Sequence, residues 1–205
     1  MELKVNKLAI KIGSFNLDCE NLVFEDGGKY LIFAPNGSGK SVLLKGIVAL
    51  IKTTVRDIDL DGKKVQDYDL SKVTATYLDE QFLVPFYKPL EYFEFLGKIK
   101  SVPTDKVNAI VKDFSDLFGH SWPKKYIREL STGMRKKVGL AGSLIGTPSV
   151  ILWDEPFENV DEQAVINLKK FIEKDKRLIV YTSPSTDELP KSKIITIENG
   201  LVKCF

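Results

Sequence analysis

Tyr30-Leu31-Ile32-Phe33-Ala34-Pro35-Asn36-Gly37-Ser38-Gly39-Lys40-Ser41 is the stretch that decides how the chain is read. Its first four residues are apolar without a break, as in a strand buried on both faces. A Gly-rich loop follows. Beyond it, Leu43, Leu44, Ile47, Val48 and Ile51 recur at helical spacing and predict an amphipathic helix. Between strand and helix, backbone N–H groups from about Gly37 to Ser41 can turn inward onto phosphate oxygens. The glycines permit the backbone angles this needs and put no Cβ in the way. The helix N-terminus adds its positive dipole end. Lys40 can neutralise phosphate charge, and Ser41 can place a hydroxyl on Mg²⁺. Strand, loop and helix in this order fit the P-loop pattern, with Ala34 at the first glycine position. Residues 34–41 are therefore the candidate nucleotide-binding loop.

A second apolar run, Val150-Ile151-Leu152-Trp153, ends in Asp154-Glu155. The carboxyl ends of strands in an open α/β sheet form its ligand edge. Asp154 can hold Mg²⁺ through its water shell, and Glu155 can orient and polarise a water against a γ-phosphate. Lys40 and Glu155 are the candidate catalytic pair.

Outward from these runs the chain alternates strand and helix. Leu3, Val5, Leu8 and Ile10, then Phe15, Leu17, Leu22 and Phe24, predict an antiparallel pair around Gly13-Ser14. Asp61-Gly62 reads as a turn, Val73 to Leu78 as a strand and 104–118 as a helix. Residues of about 82–130 form a mostly helical insertion rich in aromatics. A helix over 161–174, a strand from Leu178 to Thr182 and a closing hairpin around Asn199-Gly200 follow. The expectation is one domain over residues 1–205, built on a mainly parallel α/β sheet.

Leu130-Ser131-Thr132-Gly133-Met134-Arg135-Lys136-Lys137 lies shortly before Asp154. Ser131 can cap a helix. Taken with the loop at 34–41 and the acidic strand end, this segment resembles the signature motif of ATP-binding cassette (ABC) ATPases, in the variant of bacterial and archaeal transporter subunits. The resemblance covers essentially the whole chain. It implies a P-loop NTPase of ABC type, with an antiparallel β subdomain and a helical subdomain. It also implies ATP and Mg²⁺ as cofactors, and a head-to-tail dimer in which Ser131 and Gly133 reach the nucleotide held by the other chain. That other chain is an identical one or another ABC ATPase, giving a homodimer or a heterodimer. A separate transmembrane permease subunit would hold the pair at the inner face of the cell membrane. Asp161 matches the D-loop aspartate. Phe15 is either the aromatic that stacks on adenine or a strand core residue.

Two positions depart from the family pattern. After the strand ending at Leu78, either Glu80 or Gln81 stands for the glutamine that reaches Mg²⁺. After Thr182 comes Ser183-Pro184, where the family carries Ser-His, and proline has no donor for a γ-phosphate. Slow or partner-dependent hydrolysis is the expectation. His120, the one histidine, reads as an exposed loop residue.

Phe82, Val84, Phe86 and Tyr87 are candidates for a groove that receives the permease, or else core of the helical subdomain. Lys124, Lys125, Arg128, Arg135, Lys136 and Lys137 read as a solvated helix face rather than a nucleic-acid patch. The chain as a whole carries a net charge of only +2, so no direct nucleic-acid partner is expected. No run approaches a bilayer span. The N-terminus lacks an apolar signal region, which predicts a cytoplasmic chain. Cys19 and Cys204 are two thiols without metal-ligand spacing. Alternatives to a transport ATPase are a nucleotide-binding regulator with little hydrolysis and a soluble non-transport ABC ATPase.

Overall fold

A computed structural model describes residues 1–65, 67–186 and 192–204. Strands β1 (Glu2–Ile12) and β2 (Phe15–Glu25) pair antiparallel, with Leu3 opposite Phe24 and Ile10 opposite Leu17. The buried positions jump from Val5 to Leu8 and from Cys19 to Leu22. At this break Asn6 and Asn21 drop out of the β1–β2 pairing without shifting its register, Asn21 takes φ 54°, and β1 bulges against the strand over Val55–Leu60 between Val5 and Lys7.

The strand β3 (Lys29–Phe33) leads into helix α1 (Lys40–Ile47). This helix is shorter than its apolar pattern predicts. The N–H of Leu50 donates to the Lys45 carbonyl and that of Ala49 to Gly46, which closes the helix with Ala49 at φ 58°. Val48 and Ile51 are consequently half-buried beyond its end.

Strands β4 (Val55–Leu60) and β5 (Lys63–Lys64) then flank the Asp61-Gly62 turn. Helix α2 (Asp67–Val73) precedes strand β6 (Thr74–Tyr77). The sequence pattern carried no signal for β4, β5 or α2, and it started β6 a residue early. Only Ile58 is buried in β4, too little for an alternating pattern.

Helices α3 (Pro89–Ile99), α4 (Thr104–Phe118) and α5 (Thr132–Ser143) come next. They are followed by β7 (Val150–Trp153), α6 (Glu162–Lys174), β8 (Leu178–Ser183), β9 (Lys193–Glu198) and β10 (Leu201–Cys204). The ten strands among the described residues join one sheet, in the order β5-β4-β1-β2-β10-β9-β3-β8-β7-β6. The strands β9, β3, β8, β7 and β6 are mutually parallel. Their neighbours on the other side are antiparallel, apart from one parallel pairing of Leu201 with Asp18. The sheet is thus mixed: its parallel half runs from β9 to β6, and the antiparallel β subdomain joins it where the long β1–β2 ribbon docks on β10.

Residues of β7 and β8 alternate between two cores. Val150, Leu152, Leu178 and Val180 pack with Leu3, Leu17 and Leu43 on one face. Ile151, Trp153, Ile179 and Tyr181 pack with Phe93, Phe114 and Trp122 of the helical region on the other. Burial on both faces is the reason these strands read as unbroken apolar runs. Because β3, β7 and β8 run parallel, with Phe33 beside Ser183 and Trp153 beside Tyr181, their carboxyl ends open at one edge.

Candidate nucleotide site

The loop 34–41 lies at that edge. Gly37 and Gly39 hold φ 80° and 105°, left-handed angles that cost other residues more than glycine. Gly39 caps α1 without a side-chain hydrogen bond, so the first helical N–H groups stay free for a ligand. The Ser38 hydroxyl is buried without a partner among the described residues. An orphaned donor in a ring of backbone N–H groups fits a phosphate. Lys40 is only 4% exposed and folds back over the loop. Its Nζ donates to the carbonyls of Ala34 (2.9 Å) and Pro35 (3.3 Å) and to Asn36 Oδ1 (3.3 Å), and pairs with Glu155 Oε1 at 3.3 Å.

A cavity of about 390 Å³ opens over the loop, lined by Ile12, Phe15, Asn36, Gly37, Gly39, Lys40, Ser41, Val42 and Glu155. Phe15 is half-buried and does two things at once. It packs on the β-ribbon core and it walls the cavity. A Cβ on Gly39 would come within 2.7 Å of its ring, so glycine there is a packing requirement as well.

Asp154 and Glu155 end β7 beside the loop. The Thr182 hydroxyl of β8 donates to Asp154 Oδ1 at 2.5 Å and accepts the Glu155 N–H at 2.9 Å. Glu155 takes φ 46°, an uncommon angle for a residue with a long side chain. Burial pushes its carboxyl pKa up, Glu158 alongside pushes the same way, and Lys40 opposes both. Oxygen donors from Ser41 and Asp154 suit Mg²⁺, a hard cation that keeps several of its waters.

Ser131 caps α5, accepting the Met134 N–H at 3.2 Å. Any Cβ on Gly133 would run into the Asn159 carbonyl. Asp161 caps α6 through the Ala164 N–H and pairs with Lys137 at 2.5 Å. The Lys137 ammonium, followed by the Ala164 N–H, holds the Asp161 carboxyl below its ordinary range. Together these residues line a shallow cavity of about 550 Å³ around the α5 N-terminus.

Other positions behave differently from their sequence reading. Lys136 and Lys137 are not part of a solvated face: each is 6% exposed. Lys136 donates to the Glu155 carbonyl at 2.8 Å, and Lys137 to Asp161. Their charges find acceptors inside the fold, which a basic run in sequence does not disclose. Lys124, Lys125 and Arg128 are exposed. His120 is half-buried rather than exposed, stacked on Phe118 and edge-on to Trp122. Glu80 pairs with Arg135 at 2.8 Å, Gln81 is exposed, and neither lines the cavity over the loop. Pro184 lines a small recess with Glu155, Phe157, Glu158, Thr182 and Ser183. In the aromatic stretch Tyr92 and Phe93 are core, while Phe82 and Phe86 are 58% and 66% exposed. Cys19 is buried, its thiol pushed up to about 12 by burial, and Cys204 is exposed; both are free.

A family model described as ABC transporter matches residues 17–158. The chain belongs to the ABC transporter family. An uncharacterized ABC transporter ATP-binding protein of Methanocaldococcus jannaschii is 30% identical to this ABC chain, covering 99% of it and 80% of the relative. Another, of Bacillus subtilis, is 27% identical over 84% of the chain and 80% of its own length. Among solved structures, a dimeric ATP-binding cassette in a post-hydrolysis state bound to ADP and Pi superposes with a TM-score of 0.79 at 21% identity. That match covers 99% of this chain and 97% of the other. The fold is therefore that of an ABC-type P-loop NTPase. No helix among the described residues is long and apolar enough to cross a membrane.

Sequence reasoning on this ABC transporter chain missed Thr182, Lys136 and Glu158. A threonine ending a strand and a lysine in a basic run carry no local mark. Their roles arise from partners 27 and 19 residues away.

Proposed function

We propose that this cassette binds Mg²⁺-ATP at residues 34–41 and hydrolyses it to power transport through separate membrane subunits. The observation that carries this reading is the meeting of Lys40 and Glu155 at one cavity wall, from two different strand ends. In the proposed cycle Lys40 leaves Glu155 and its loop carbonyls for the β- and γ-phosphates. The backbone N–H groups of Gly37 to Ser41 take the phosphate oxygens, and Phe15 takes the adenine face. Ser41 and Asp154 would hold Mg²⁺, which would supply positive charge to neutralise the phosphates. Glu155, freed from Lys40, orients the attacking water. Its carboxyl pKa, raised chiefly by burial, suits a group that takes up a proton more readily than an ordinary carboxylate does. Glu80 reaches this site only after its pair with Arg135 opens, whereas Gln81 is exposed and not held by that pair.

A solved relative in fold is a dimer with ADP and Pi. By that analogy Ser131, Gly133 and Asp161 act on the nucleotide of a second cassette, identical or different. Exposed Phe82 and Phe86 form the side that meets the permease, which would place the chain at the inner membrane face. Hydrolysis by the isolated chain is slow, because Pro184 offers the γ-phosphate no donor. A second reading, a nucleotide-binding regulator, is favoured by that same proline.

The test is Mg²⁺-dependent ATP turnover over a range of protein concentration, beside Glu155→Gln. Turnover that rises steeply with concentration and vanishes in the variant supports a self-sufficient homodimer. ATP binding without turnover, even with a permease present, supports the regulator.

A further inference from the structure

Lys136 sits on α5, the helix capped by Ser131, yet its side chain turns away from solvent. Only 6% of the residue is exposed, and its Nζ donates to the Glu155 carbonyl at 2.8 Å. At the other end of Glu155, the N–H donates to Thr182 at 2.9 Å. Two side chains from two separate elements therefore grip one residue, which holds φ 46°. A non-glycine residue keeps such an angle only where its surroundings over-determine it. A buried ammonium also needs compensation. Burial pushes its pKa down, and Glu158, Glu155, Glu80 and Asp154 lie close enough to offset part of that.

We propose that Lys136 is a positioning residue for Glu155: by holding the Glu155 carbonyl it fixes the backbone twist that aims the carboxylate at Lys40 and the cavity. The grip ties the carboxylate of one chain to that chain's own signature helix. A shift of α5 then re-aims Glu155 through one hydrogen bond, without any change at the phosphate loop. The inference rests on reading Glu155 as the residue that orients water.

Lys136→Met keeps most of the buried stem and removes the donor, and Lys136→Arg restores one. Amide hydrogen exchange, read by NMR on the purified chain, needs no turnover. The Glu155 amide in Lys136→Met should exchange at least roughly tenfold faster, while Ile151 and Leu152 stay as in the parent. ATP affinity should stay within about twofold, single-turnover hydrolysis should fall roughly tenfold or more, and Lys136→Arg should recover part of it. Unchanged Glu155 exchange overturns the inference. So does a uniform rise along β7, which would make Lys136 a prop of the core. If Lys136→Met does not fold, Lys136→Gln, too short to reach the carbonyl, carries the same readouts. Glu155→Gln separates the two readings. If it hydrolyses ATP at the parent rate, the role of Glu155 is wrong while the exchange result stands. If it is inactive and Lys136→Met behaves as the parent, only the positioning role is wrong.

Discussion

The hydroxyl of Thr182 lies 2.5 Å from a carboxylate oxygen of Asp154, and the same oxygen atom of Thr182 receives the backbone N–H of Glu155 at 2.9 Å. One buried hydroxyl therefore sets both acidic residues at the end of β7. It comes from β8, the neighbouring parallel strand.

Thr182→Val keeps the shape and removes the hydroxyl, leaving the Glu155 N–H without its acceptor. A stability loss of about 1–3 kcal/mol is expected from such an unsatisfied group. Thr182→Ser should retain most of it. Urea unfolding of the three proteins measures the difference, and equal midpoints for Thr182→Val and the parent would count against the bridge.

Glu155 gives a pH signature. Its carboxyl pKa is raised, chiefly by burial and then by Glu158, so the folded chain holds that proton more tightly than the unfolded chain. The associated stability is present below the ordinary carboxylate value of 4.5 and is lost as pH rises through the raised value. Glu155→Gln has no carboxylate to ionise. Its melting temperature should gain on the parent as pH goes from acid to neutral. A gap that is constant or narrows with pH would refute the sign.

Gly133 faces the Asn159 carbonyl so closely that an added methyl group meets backbone rather than a movable side chain. Gly133→Ala should lose about 1–3 kcal/mol through forced displacement. It should also weaken any turnover that depends on protein concentration, since it shifts the 159–161 turn against Ser131. Concentration dependence identical to the parent would separate Gly133 from the dimer.

Pro184 shares its recess with Glu155, Thr182 and Ser183. Pro184→His places a donor there. If the missing imidazole limits hydrolysis, turnover should rise at least roughly tenfold, below the roughly hundredfold or more that a well-placed proton-transfer group contributes. ATP affinity should hardly change. Steady-state turnover beside an ATP titration checks both, and an unaltered rate would move the cause of slow hydrolysis elsewhere.

The loop at 34–41 and the pair Asp154-Glu155 were legible because their signals are local. Glycines at fixed offsets, a lysine and a serine after them, and acids ending an apolar run are features of adjacent residues. Both buried strands were legible for the same reason. Strand β4 was not, since only Ile58 of its six residues is buried and its place between β5 and β1 comes from pairing with both. Basic residues 135–137 were read as a solvated face because hydropathy records that a side chain is charged, not what it meets. Inside the fold Arg135 meets Glu80, Lys136 the Glu155 carbonyl and Lys137 Asp161.

The sequence by itself determined the chemistry on offer: a candidate phosphate loop, an acidic strand end, a signature-like helix start and a proline just after Ser183. Each of these depends on backbone preferences and side-chain types within a few residues. Tertiary structure alone decided which groups meet. Lys40 on Glu155, Thr182 on Asp154 and Lys136 on the Glu155 carbonyl join residues 115, 28 and 19 positions apart. Such pairings follow from strand order, parallel register and the packing of α5 against β6, where Gly139 meets Tyr77, and those are settled by packing two cores at once rather than by any local pattern.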